Sequence, residues 1–341
     1  MDILGQRYIT TDGIQQIFAR PSIPPFHIID KDAKHRVVTV EPDDDLKSVI
    51  ENSTAGQVII LISGSHIIDQ QISWPNHKLC FVGVGNPTIV FDFSSSQSVT
   101  TETYPSGTEG TIFQNIKFST ASSYKANFFV DGWIWIDVIF EQCASPVNVH
   151  NCLFLRAVFS LASSKAVGGG TYIECVQTNS LLLEFKYTAT LLGGSFQDIR
   201  LVDYDNIKIV GGEHSHIRLH GWHNPSERDA NQIVSIEDVY FSGVTTPFTC
   251  ESSGQLRRIL VRGCYVVRDG VVFDNTSSGI TIGDLIFADN YFAASSSNLN
   301  ILSNSGTIQH CAVIRNSGNA VLDTSQANEC EFDMNTGITI S

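Results

Sequence analysis

The chain has 341 residues, 42% of them hydrophobic and only 16% charged, and its 35 acidic side chains against 21 basic ones leave a net charge of −14. It is too apolar for a disordered chain and long enough to bury a large core. The acidic balance argues against nucleic acid or an anionic membrane surface as partner, since each calls for a basic stripe, and no apolar run reaches the roughly 18 residues of a membrane span.

Residues 1–35, with Pro21, Pro24 and Pro25, read as an extended arm or small attachment segment, and residues 36–341 as one further domain. The start lacks the basic and apolar regions of a secretory leader, so the expected location is the host cytoplasm or a virion assembled there. Within residues 43–52, Leu46, Val49 and Ile50 share one helical face and Gly56 offers a stop, which predicts a short amphipathic helix. The runs Gln57–Ile62, Lys78–Val82 and Pro87–Phe91 read as the first strands, and the Ser/Thr-rich stretch 94–106 as a loop.

From residue 112 a short motif recurs, two apolar residues separated by one. Its first apolar position falls at Ile116, Val138, Cys152, Cys175, Ile199, Ile217, Val239, Cys264, Leu285, Cys311 and Cys330, at a mean spacing of about 21 residues. The residue two further on is apolar in every copy but the fourth, where it is Gln177. Alternation within a copy is the period of a strand, and the spacing is too short for a strand–helix crossover. A coil of three short strands and three bends fits it. The interval of 14 between Val138 and Cys152 is too short for such a coil and implies a slip of part of a turn. A β-sandwich would not hold one register over so many residues, and the Leu and Asn columns of a leucine-rich repeat are missing. The expected fold is all-β, a right-handed single-stranded parallel β-helix of about 21-residue coils closed by the N-terminal helix. Five of the eight cysteines fall at motif positions, where they read as inward-packed free thiols; no CxxC pair supports zinc.

The order Val38-Thr-Val40, short helix, Gly56 to Leu61 and Gly83-Val-Gly-Asn-Pro-Thr-Ile-Val-Phe91 is similar to the opening of pectin-lyase-like right-handed β-helix proteins. The resemblance covers roughly residues 36–341 and implies the fold. It leaves function open, because that superfamily includes polysaccharide lyases, glycoside hydrolases, phage tailspikes and non-catalytic virion proteins. Trp135-Ile-Asp-Val138 partly resembles the Trp-x-Asp-His signature of pectate lyases, but Val138 stands in place of His, and Asp137 reads better as a bend residue. The Gly-His-Gly and Arg-x-Lys segments of polygalacturonase-like hydrolases are missing. The tailspike or virion-associated branch is therefore favoured.

Candidate site residues cluster between Asp203 and Asp229. Asp203 and Asp205 can share a strand face, and with Glu213 and Asp229 they are the candidate catalytic carboxylates, since glycoside hydrolysis uses a pair about 5–9 Å apart. On an acidic protein they read more readily as turn and solvent-face residues. His214 and His216 would share a face of an extended segment and are weak metal candidates; no cofactor is expected. Trp222, flanked by His220, His223, Asn224 and Arg228, suits a sugar ring, whose C–H face stacks on an aromatic while its hydroxyls bond polar groups. The resulting expectation is a non-catalytic, spike-like, virion-associated protein with a glycan- or protein-binding face, packed by a flat side into a homotrimer. Its partners would be a glycan or a virion or host surface protein. The alternative is a depolymerase, a polysaccharide lyase or glycoside hydrolase acting on a capsule or cell-wall glycan.

Overall fold

The computed structural model describes residues 37–341 except 143, 147–148, 163–164, 187, 203–205, 221–232, 242–245, 252–253, 268–269 and 294–298. The arm 1–35 lies outside the described residues. Among the described residues every strand pairing is parallel, and the chain winds as a right-handed parallel β-helix. The first face is a sheet of fourteen strands, from Val37–Val40 to Glu329–Asp333, each from a successive coil. A tight bend leads to a second face, which begins at Ser65–Ile68 and ends at Thr336–Ile340. A third face opens with the two-residue strands Gln97–Ser98, Ala126–Asn127 and Ala144–Ser145. Further along it is carried by Leu183–Lys186, Phe248–Glu251, Gly270–Asn275 and Leu299–Asn304. Ser195–Val202 and Glu213–His220 run through the bend and serve the second and third faces in turn.

Alternation fills the interior. In parallel register, in-facing residues of neighbouring coils lie one strand spacing apart, so like side chains stack. Phe81, Phe113, Trp135, Phe154 and Tyr172 form one such column, with centroid separations of 4.5, 4.8, 5.9 and 4.6 Å and planes within 12° of parallel. Phe118, Phe140 and Phe159 form another on the second face. Towards the C-terminus these columns turn mostly aliphatic, as in Ile209, Ile236 and Val261.

The bend between the first and second faces is marked by a left-handed residue. Asn115, Asp137, Arg156, Glu174, Asp238, Asp289, Arg315 and Met334 have φ between 49° and 56°, and Gly193, Gly211 and Gly263 continue the column. Asp137 is thus a bend residue, held by two hydrogen bonds from the Arg156 guanidinium (2.6 and 2.7 Å). Just inside the bend near the C-terminus, the side-chain Oδ1 of Asn316 accepts from the Asn290 backbone and side-chain N–H groups, and Oδ1 of Asn335 accepts from the same two groups of Asn316. This ladder satisfies backbone groups that the bend leaves without strand partners.

The coil, the motif and the capping helix each differ in detail from expectation. The coil has no single length near 21: Leu153 pairs with Thr171 and Thr171 with Thr190, whereas Lys208 pairs with Ser235 and Leu260 with Ile286. Coils run 21–22 residues at the start, 18–19 in the middle, 25–27 later and 19 at the end, and Cys80 to Ile112 spans 32, where the Ser/Thr-rich stretch leaves the coil but also contributes the strand Gln97–Ser98. The eleven motif positions also belong to three columns. Ile116, Val138, Cys175, Val239 and Cys264 lie inside the first bend; Cys152, Leu285, Cys311 and Cys330 are on the first face; Ile199 and Ile217 are on the third. The short interval of 14 is a step from one column to another. The helix is shorter than expected, Leu46–Glu51, because Asp45 accepts from the Ser48 N–H as N-cap. It buries Leu46 and Ile50, as its pattern requires.

Candidate functional site

The third face carries a polar network over four coils. Leu183, Ile199, Ile217 and Phe248 face inward in register, so the residues following them, Glu184, Arg200, Arg218 and Thr249, face outward in a row. Two stacked arginines would repel, and carboxylates on either side prevent this. Arg218 donates through Nε and Nη2 to both Asp198 oxygens (2.8 and 2.7 Å) and through Nη1 to Glu251 (2.7 Å). Arg200 donates to Glu184 (2.9 Å) and to the other Glu251 oxygen (2.8 Å), so Glu251 bridges the two guanidiniums. His216 Nε2 lies 2.9 Å from Thr249 Oγ1, and its Nδ1 lies 3.4 Å from Asp198.

Burial would raise the carboxyls of Asp198 and Glu251. Hydrogen bonds outweigh it, from His216 and Arg218 on the first and from Arg218 and Arg200 on the second, and hold both below the ordinary carboxylate range. Arg218 moves the opposite way, raised chiefly by its bonds to Asp198. The face therefore presents fixed charges of both signs, each about a quarter exposed or less.

Of the sequence-derived candidates, His214, His216, Glu213 and His220 lie on the one strand Glu213–His220. The strand separates His214 from His216 instead of placing them on one face. His214 is buried among aromatics, in register between Phe196 and Phe241, and its ring stacks on Phe196 at 5.6 Å, whereas His216 points outward to Asp198. The reason is the bend within the strand: both His214 and Ile217, three apart, face the core. Among the described residues no three His, Cys, Asp or Glu are grouped to hold a metal. Glu213 starts the strand on the second face, in register with Tyr240, and His220 ends it on the third, in register with Glu251. Asp203, Asp205, Trp222, His223, Asn224, Arg228 and Asp229 lie outside the described residues.

Sequence reasoning missed Asp198, Arg200, Arg218, Glu184 and Glu251. The signal was present in Asp198-Ile-Arg-Leu201 and His216-Ile-Arg-Leu219, where the residues between the apolar pair had to stack outward. It also missed a tyrosine ladder on the adjoining second face. Tyr240, Tyr265 and Tyr291 stack at 5.5 and 4.9 Å within 15° of parallel, yet remain 41%, 40% and 44% exposed. Tyr240 shares its coil with Thr249 and Glu251, so the two surfaces are continuous in the winding.

Comparison with family models, curated proteins and solved structures finds no match to this chain. No helix among the described residues is long and apolar enough to cross a membrane.

Proposed function

We propose that this protein is a non-catalytic, spike-like β-helix of the pectin-lyase-like, virion-associated kind, and that its third face binds a glycan. One observation carries the reading. The network carboxylates Asp198 and Glu251 are committed to hydrogen bonds from Arg218 and Arg200, with His216 beside Asp198, and are held low, whereas glycosidic cleavage needs a carboxyl held up as a proton donor. A lattice of arginine, carboxylate and imidazole, 13–29% exposed, offers fixed donors and acceptors to sugar hydroxyls. In the sequence His220 is followed by Trp222, His223, Asn224 and Arg228, an aromatic flanked by polar groups, the residue types that a pyranose stacks on and bonds to.

The test is a glycan array with wild type and Trp222→Ala, run alongside a reducing-end release assay on the glycans that score. Binding without release is expected, with affinity about tenfold weaker in Trp222→Ala if stacking contributes about 1–2 kcal/mol. New reducing ends would overturn the reading in favour of the depolymerase, with Asp203, Asp205, Glu213 and Asp229 as the carboxylates to substitute. An empty array would remove the glycan.

The first face supports the homotrimer. Its outward positions are apolar over successive coils: Ile112, Ile136 and Leu155 pack together, joined by Cys80, Ile134 and Leu153. An outward sheet surface normally alternates to polar residues, and this one suits packing against a second copy.

A further inference from the structure

A cleft of about 490 Å³ opens at the bend between the first and second faces, away from the charged network. Its walls are Ile173, Val176, Leu192 and Val210, its middle is formed by Gly193-Gly194 and Gly211-Gly212 on adjacent coils, and Glu174 and Asp238 stand at its two ends. The backbone bonds Glu174 N–H to Leu192, Gly193 N–H to Val210 and Gly211 N–H to Glu237 place Glu174, Gly193, Gly211 and Asp238 in one left-handed column.

The glycines of that column are not all required by the backbone. Gly194 and Gly212 are, because a Cβ would lie 2.2 Å from the Cys175 carbonyl oxygen and 2.6 Å from that of Gly194. Gly211 is different. A Cβ there would meet nothing nearer than 4.0 Å, and eight other coils carry a side chain at the same left-handed position. The gap at Gly211 is thus not forced by local conformation, and it keeps the cleft open. Neither Glu174 nor Asp238 makes a side-chain hydrogen bond or ion pair among the described residues. Arg156, one coil from Glu174, commits two of its nitrogens to Asp137.

We propose that this cleft binds a linear aliphatic polyamine, its methylene chain lying on the apolar walls and its terminal ammonium groups on Glu174 and Asp238. Three coil steps separate those residues, about 14 Å at the usual strand spacing. Two ammonium–carboxylate contacts of about 2.8 Å reduce this to roughly 9 Å, and more where the side chains splay apart. An extended triamine with three- and four-carbon spacers spans about 11 Å, against about 6 Å for diaminobutane. The match favours the triamine. The inference stands apart from the glycan reading, since it uses another edge of the solenoid.

Spermidine, diaminobutane and butylamine would be titrated calorimetrically at 150 mM salt into wild type, Gly211→Asn, Glu174→Gln and Asp238→Asn. Spermidine should bind at least tenfold more tightly than diaminobutane or butylamine. Each charge-removing variant should weaken it about fivefold or more. Gly211→Asn should weaken it at least tenfold while the melting temperature holds, because asparagine tolerates the left-handed conformation and fills the gap. Absence of spermidine binding up to millimolar concentration would overturn the proposal. So would affinity unchanged by the two charge variants, which would mark nonspecific association with an acidic protein.

Discussion

His214 shows what the interior demands of one residue. Between Phe196 and Phe241 it occupies an aromatic position, and burial pushes its pKa down to about 4. It is therefore neutral in the folded protein at pH values where the unfolded chain takes up a proton. Stability owed to this neutral form is complete above the unfolded value of 6.5 and is lost as pH falls towards about 4, where the loss reaches about 3 kcal/mol. His214→Phe should abolish this part of the acid sensitivity and extend the ring column. Urea melts of both proteins from pH 7 to pH 4 should diverge steadily as the pH falls; parallel curves would mean that the imidazole is not buried. Cys264 and Cys311 make a second residue-scale case. Both are buried, in different columns; burial raises the Cys264 thiol, and the hydrogen bond with Cys330, helped by burial, raises that of Cys311. An aspartate at either position would be an uncompensated buried charge costing several kcal/mol. Cys264→Asp or Cys311→Asp should aggregate or lose cooperative melting. A variant that melts like the parent would refute the inward assignment of its column.

At the scale of the element, the sequence revealed strands more readily than faces. An apolar residue, a gap and a second apolar residue occur on both sides of each bend: Cys152 and Phe154 on the first face, then Ala157 and Phe159. Period-two alternation reports that a strand faces inward but not which face it belongs to. The register could slip across the bend unseen and give an average coil that few real coils match. The left-handed column and the Asn290–Asn316–Asn335 ladder carry the missing information. The outward network was harder to read, because stacked outward residues need only match their neighbours and show no apolar period. The stretch from Asp203 to Asp229 lay beside it in the chain, yet Asp198 and Glu251 fall outside that window. The ladder gives a direct test. Asn316→Leu keeps the branching of the side chain but takes the acceptor from two Asn290 N–H groups and the donor from the Phe287 carbonyl. A loss of about 2–4 kcal/mol is expected from chemical denaturation, and a loss below about 0.5 would show that the ladder is not a stabilising element.

The described β-helix has unlike sides: a first face whose outward surface is largely apolar between Cys80 and Leu155 but later carries pairs such as Lys208–Glu237 and Arg258–Asp284, a second face bearing the tyrosine ladder, and a third of paired charges. Each coil contacts its neighbours, so the fold itself makes no demand on the outward residues of the first face, and their apolar run needs another cause. Association between copies supplies one. Leu153 tests it well, because it points outward between Ile134 and Thr171, is half-buried, and leaves a long side chain free to reach solvent. Leu153→Lys should leave the circular dichroism spectrum β-dominated and shift the melting temperature of the isolated chain by only a few degrees. In light scattering after gel filtration, wild type should show a trimer at micromolar concentration and the variant a single chain, since three lysines would meet around the axis. A wild type that stays monomeric at tens of micromolar would assign the apolar face to some other cover. A trimer that survives both Leu153→Lys and Ile134→Lys would move the interface to another side of the rod.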